Sequence, residues 1–100
     1  MDEEIIEQVQ TVSSIHETLT GYTGKRLRIR ANMGRSKIVE REGVLTQAHP
    51  SLFIIETTER RGRKARQSYQ YVDVLTGMVE LTDLDTNELL FPEIKEEVLQ

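Results

Sequence analysis

Eleven cations fall in two short stretches, and they are the residues best placed to do chemistry. Residues 24–37 carry Lys25, Arg26, Arg28, Arg30, Arg35 and Lys37, and residues 60–66 carry Arg60, Arg61, Arg63, Lys64 and Arg66, with no acid in either stretch. Guanidinium and ammonium groups offer electrostatic recognition of carboxylate or phosphate. Arg26, Arg28 and Arg30 alternate with Leu27, Ile29 and Ala31. On a strand they would project from one face about 6.6–7 Å apart, twice the rise per residue. That interval is close to the phosphate spacing along a nucleic-acid strand, so the row suits a phosphodiester backbone. Arg35 and Lys37 would extend it, and the 60–66 loop would wrap a second side. The alternative is an internal lattice, in which the row pairs across the sheet with Glu40, Glu42 or Glu56. Each such pair is worth only a few tenths to about 1 kcal/mol.

Catalytic chemistry has little support. His16 and His49 are the only histidines, and they lack the His-x-x-x-His spacing of a metal site. With no cysteine, thiolate catalysis, disulfides and cysteine-based zinc sites are excluded. Gly21-Tyr-Thr-Gly24-Lys25 is too short for a phosphate-binding P-loop, lacks the following Ser or Thr, and precedes a strand pattern instead of a helix. Asp83 and Asp85 read as a solvated turn. No nucleophile elbow or dinucleotide fingerprint occurs. The expectation is a protein that is not an enzyme, with no catalytic residues, no metal and no cofactor.

Charge is segregated along the chain. Residues 24–66 hold twelve cations against four acids, a balance of +8, whereas residues 1–20 carry −5 and residues 73–100 carry −7. The net charge of −4 conceals this polarity, and local potential decides what a surface attracts. One hundred residues make a single domain with a small core. No apolar run approaches a membrane span, and the acidic N-terminus is unlike a secretory leader, so a cytoplasmic protein with no membrane partner is expected.

The elements that position these groups follow from hydrophobic period. Ile5, Val9, Val12, Ile15 or His16, and Leu19 recur at three- and four-residue steps, predicting an amphipathic helix over residues 3–20. Its start is set by Asp2, or by a capping box at Ser14-Ile15-His16-Glu17 that would begin the helix near Ser13. After Gly24 the period becomes two. Strands are expected over 25–31, 37–48, 52–57, 67–72 and 78–82, with a bend or bulge at Gly43 in the second. Residues 59–64 form a basic hairpin loop around Gly62, and 73–77 a short 3₁₀ turn. Tyr69 and Tyr71 share one side of the fourth strand, as core or rim packing more than a stacking platform. The pattern predicts a mainly β fold with an N-terminal helix, closed as a small five-stranded SH3-like or Sm-like barrel, with an open sheet as the alternative. Residues 83–100 form an acidic tail with a short helix over 93–99. The tail packs back, pairs with a second copy or stays free.

An ordered set of residues runs through Val12-Ser-Ser-Ile15 with Leu19, Gly24-Lys-Arg-Leu27, Ala31-Asn32 with Gly34-Arg35 and Lys37, and Glu40-Arg41 with Gly43 and Leu45. It continues through Pro50-Ser51 with Phe53, Ser68-Tyr69 and Tyr71, then Asp73, Leu75-Thr76 and Val79-Glu-Leu-Thr82. In these residues the chain resembles, over residues 12–82, the bacterial Veg family of biofilm formation stimulators. The resemblance implies a small cytoplasmic regulatory protein that acts by relieving a DNA-binding repressor. It implies no catalysis.

Together these readings predict a regulatory module that binds a protein partner, a transcription regulator with an acidic patch, through its basic surface. A nucleic-acid-binding barrel holding phosphates with Arg26, Arg28 and Arg30 is the alternative. The apolar run Leu89-Leu90-Phe91 adds the expectation of a homodimer.

Overall fold

The computed structural model describes residues 10–34 and 36–94, with Arg60 as backbone only. The first helix, α1 (Val12–Thr20), begins where Thr11 caps it: the Thr11 hydroxyl accepts from the Ser14 amide at 3.0 Å, and the Thr11 amide donates back to the Ser14 hydroxyl at 2.8 Å. This reciprocal box satisfies amide groups a helix start leaves orphaned. It sits one turn before the box expected around Ser14. Ile15 and Leu19, four residues apart, are wholly buried, whereas Val12 is 39% exposed. Ile5 and Val9 lie outside the described residues.

Six strands follow: β1 (Arg26–Asn32), β2 (Ile38–Ala48), β3 (Leu52–Thr58), β4 (Lys64–Gln70), β5 (Val79–Asp83) and β6 (Glu88–Leu89). All pair antiparallel in one sheet of order β4-β3-β2-β1-β5-β6. Four strands joined in succession, β1 to β4, form one side of that order, and β5 returns to the far side of β1. The five-stranded closed barrel expected from sequence is replaced by an open six-stranded sheet. Among the described residues no ladder joins β4 to β5 or β6, so two edges remain.

Period-two burial builds the inner face. Leu27 and Ile29 of β1, Leu45 of β2, Phe53 and Ile55 of β3, and Val79 and Leu81 of β5 are buried, while their strand neighbours face outward. The irregularity in β2 falls between Leu45 and Gln47, not at Gly43. Gly43 serves a different need: a Cβ there would stand 2.5 Å from the Glu56 carbonyl oxygen and 2.7 Å from the Ile55 side chain. Glycine lets β2 approach β3 closely at that point.

A second helix, α2 (Tyr71–Leu75), occupies the end of the strand expected over 67–72. Its Tyr71 and Val74, three residues apart, reach the core on the side where α1 packs. The chain then returns through β6, and Phe91 and Ile94 enter the same core at 7% and 5% exposure. Gln10 donates from its side-chain amide to the Glu93 carboxylate, joining the two ends of the described chain. The tail therefore packs back as far as Ile94. The remainder of the helix expected over 93–99 lies outside the described residues. No helix among the described residues is long and apolar enough to cross a membrane.

Candidate basic docking surface

β1 presents Arg28 and Arg30 on its outer face, as alternation requires, but antiparallel register sets an acid opposite each. Arg28 faces Glu42 and Arg30 faces Glu40 on β2, while Glu80 of β5 flanks Arg30 on the other side. The Arg28 Nε stands 3.5 Å from Glu42, the Arg30 Nε 3.6 Å from Glu40, and an Arg30 Nη 4.0 Å from Glu80. These pairs are partly solvated, so each adds little stability. Their electrostatic effect is larger than their energy: three carboxylates beside two guanidinium groups cancel much of the attraction the row would exert. Arg26 faces Val44 instead of an acid. The internal lattice expected as the alternative thus occupies two of three arginines. Glu56 takes no part in it.

The second cluster is arranged differently. At the β3–β4 turn, Arg60–Gly62 coil tightly, and Arg61 and Gly62 take φ of 67° and 75°. The left-handed conformation suits glycine and is uncommon for arginine. It holds the chain reversal between Thr58 and Lys64, which face each other across the ladder. Arg61 and Arg63 on the turn, then Lys64 and Arg66 on the outer face of β4, are all exposed. None of these four makes an ion pair with another described residue, and the same holds for Lys25, Arg26 and Lys37. Glu56 stands opposite Arg66 in register without bonding to it. Arg35 and the Arg60 side chain lie outside what the structure describes.

The structure therefore divides the eleven sequence candidates. Arg28 and Arg30 belong to a charge lattice. Arg61, Arg63, Lys64 and Arg66 gather at one hairpin, while Lys25 lies just before β1, Arg26 at its start and Lys37 in the loop after it. Edge strand β4 begins at Lys64, earlier than expected, so Lys64 and Arg66 are strand residues and not loop residues.

One feature escaped the sequence reading. An open, mostly apolar cleft of about 240 Å³ lies where the end of β4 approaches the start of β5, lined by Ala31, Asn32, Met33, Tyr69, Asp73, Met78 and Val79. Met33 and Met78 are 63% and 45% exposed. Tyr69 stacks on Phe53 at 5.6 Å between ring centroids. Burial raises the Tyr69 phenol above its ordinary value of 10.0, and the nearby Arg41 guanidinium partly offsets this. Exposed methionines alone carry no motif. Their meeting with Tyr69 depends on how the sheet curls.

The histidines act structurally. A His16 ring nitrogen lies 3.3 Å from the Ala48 carbonyl, with the ring edge-on to Tyr71, and His49 bonds the Gln47 side chain at 2.7 Å. The Asp83 carboxylate accepts from the Asp85 amide at 2.8 Å, closing a turn. Among the described residues no group of three or more His, Asp or Glu could hold a metal ion.

Compared with known families, residues 10–82 match the family model described as biofilm formation stimulator VEG. No curated protein matches the chain.

Proposed function

The chain belongs to the VEG family of biofilm formation stimulators, and from that premise we propose that it is a non-enzymatic regulatory module that engages an acidic protein partner, a transcription regulator, through the β3–β4 hairpin. The observation that carries this reading is the contrast between the two basic clusters. Arg28 and Arg30 are held by Glu42, Glu40 and Glu80, whereas Arg61, Arg63, Lys64 and Arg66 stand exposed with no ion pair among the described residues. Exposed cations at the hairpin, with no ion pair among the described residues, steer an oppositely charged partner and make association sensitive to salt.

The geometry weighs against a nucleic-acid reading built on the β1 row. A phosphate backbone tracking Arg26, Arg28 and Arg30 would pass beside three carboxylates. Aromatic platforms for bases are also missing from that face: Tyr69 and Tyr71 both pack against Phe53 on the inner side.

The reading is tested by capturing partners from lysate with the full chain, with nuclease treatment in parallel. Replacing Arg61, Arg63, Lys64 and Arg66 together with Gln is expected to abolish capture, while replacing Arg28 and Arg30 with Gln leaves it largely intact. All four hairpin residues are exposed, so the fold survives the change. Capture that persists in the hairpin variant, or that vanishes with nuclease, overturns the proposal.

A further inference from the structure

We propose that β4 is a docking edge, which accepts an extended acidic segment of a protein partner as a seventh strand and seats one apolar side chain of that segment in the cleft beside Tyr69. This rests on the reading of the hairpin as the site for an acidic partner and specifies how that partner is held.

β4 ends the sheet. Its ladder with β3 runs without interruption from Thr58↔Lys64 to Leu52↔Gln70, and among the described residues no strand is hydrogen-bonded to its other side. Sheet edges are normally blunted by proline, bulges or short length, because a row of free amide and carbonyl groups invites another strand. β4 uses none of these. Its seven residues include no proline and no glycine, and the register is unbroken. The opposite edge, β6, is two residues long. Among the described residues the sheet thus offers one long edge, guarded by charge. Lys64 and Arg66 repel a basic strand and attract an acidic one.

Alternation determines the kind of segment that fits. Lys64, Arg66, Ser68 and Gln70 point outward, while Ala65, Gln67 and Tyr69 point inward. An added strand would present every second side chain to each face. Its outward side chains meet Lys64 and Arg66, and carboxylates suit them. Its inward side chains pass Tyr69 toward the cleft lined by Met33, Met78, Ala31 and Val79. Methionine side chains repack readily around an incoming group. Asp73, the single acid lining the cleft, disfavours a carboxylate there, so the inward residue is apolar. The occupant is a protein segment in which acids alternate with large apolar residues.

The experiment titrates the full chain with a labelled peptide of alternating Glu and Leu, following fluorescence anisotropy and backbone amide shifts. Three related probes accompany it: Lys in place of Glu, Ser in place of Leu, and alternate backbone amides N-methylated. The expected result is binding by the first peptide, with amide shifts concentrated on Lys64–Gln70 and the cleft residues. Each of the other three binds at least about tenfold more weakly, as does the first peptide to a Lys64→Glu/Arg66→Glu variant. If the N-methylated peptide binds as well as its parent, the attraction is charge without strand addition. That result overturns this inference and leaves the hairpin reading standing. If no acidic peptide binds while lysate capture still depends on the hairpin cations, the inference fails alone. If the protein sediments as a dimer with β4 amides protected from exchange, the occupant is a second copy, and the inference fails.

Discussion

The Tyr71 hydroxyl donates to the carbonyl oxygen of His49 at 2.6 Å. The same hydroxyl lies 3.2 Å from the Leu52 carbonyl oxygen, so one side chain from α2 ties both ends of the β2–β3 turn. The ring itself is 1% exposed, with Phe53 5.4 Å away and His16 edge-on at 5.4 Å. Tyr71→Phe keeps the packing and removes the bonds. Losing a part-buried hydrogen bond costs about 0.5–1.5 kcal/mol, since the Leu52 carbonyl keeps its bond from the His49 amide. Chemical denaturation should show a lower midpoint with an unchanged slope. A midpoint equal to the parent's would mean the turn does not need the tie.

Alkaline pH should weaken the fold. Burial raises both the Tyr69 and Tyr71 phenols above their ordinary value of 10.0. In the unfolded chain these groups lose their protons near 10.0, and in the folded chain they lose them later. The folded state then holds more protons, so stability is intact below pH 10.0 and declines as pH rises through the folded values. Denaturation midpoints measured across this range should fall for the parent and fall less for Tyr69→Phe/Tyr71→Phe. Equal slopes for both proteins would assign the decline to other groups.

Gly43→Ala should be costly despite its small size. The added methyl would meet the Glu56 backbone oxygen at 2.5 Å. Backbone has no rotamer with which to yield, so β2 and β3 must part, at about 1–3 kcal/mol or more. The expected outcome is a clear drop in thermal midpoint, with amide shifts spread along both strands. Thermal unfolding indistinguishable from the parent would count against the close approach.

The Arg28–Glu42 pair invites the opposite expectation. It is directly cross-strand and half-solvated. A double-mutant cycle with Arg28→Gln and Glu42→Gln should return a coupling of about 0.2–1 kcal/mol that shrinks with added salt. A larger coupling, insensitive to salt, would make the pair a stability element and not part of a solvated lattice.

Much of the strand placement could be read from residue types alone because one face of β1, β3 and β5 is buried. Leu27 and Ile29 against Arg28 and Arg30 locate β1 to within a residue, and the apolar run at 52–57 does the same for β3. Where the pattern failed, tertiary context decided. Tyr71-Val72-Asp73-Val74 has strand-like composition, yet Tyr71 and Val74 both reach the core only from a helical turn. β4 begins among Lys64 and Arg66 because an edge strand buries few side chains and shows little apolar signal. Closure of the sheet was beyond local pattern, since it depends on whether β4 meets a strand distant in sequence. The candidate site was half legible. The cations are plain in the sequence, but only the register of β1 on β2 reveals that Glu42 and Glu40 sit opposite Arg28 and Arg30.

The family likeness stops at residue 82, but the folded unit does not. Phe91 and Ile94 are interior residues like Leu81, and Glu93 is bonded to Gln10, just ahead of α1. A version trimmed to the shared stretch would lose two plugs from its interior and the clasp on Gln10. Work that uses such a fragment as a substitute for the whole would be studying a weakened object. Its loss of activity would say nothing about the basic hairpin.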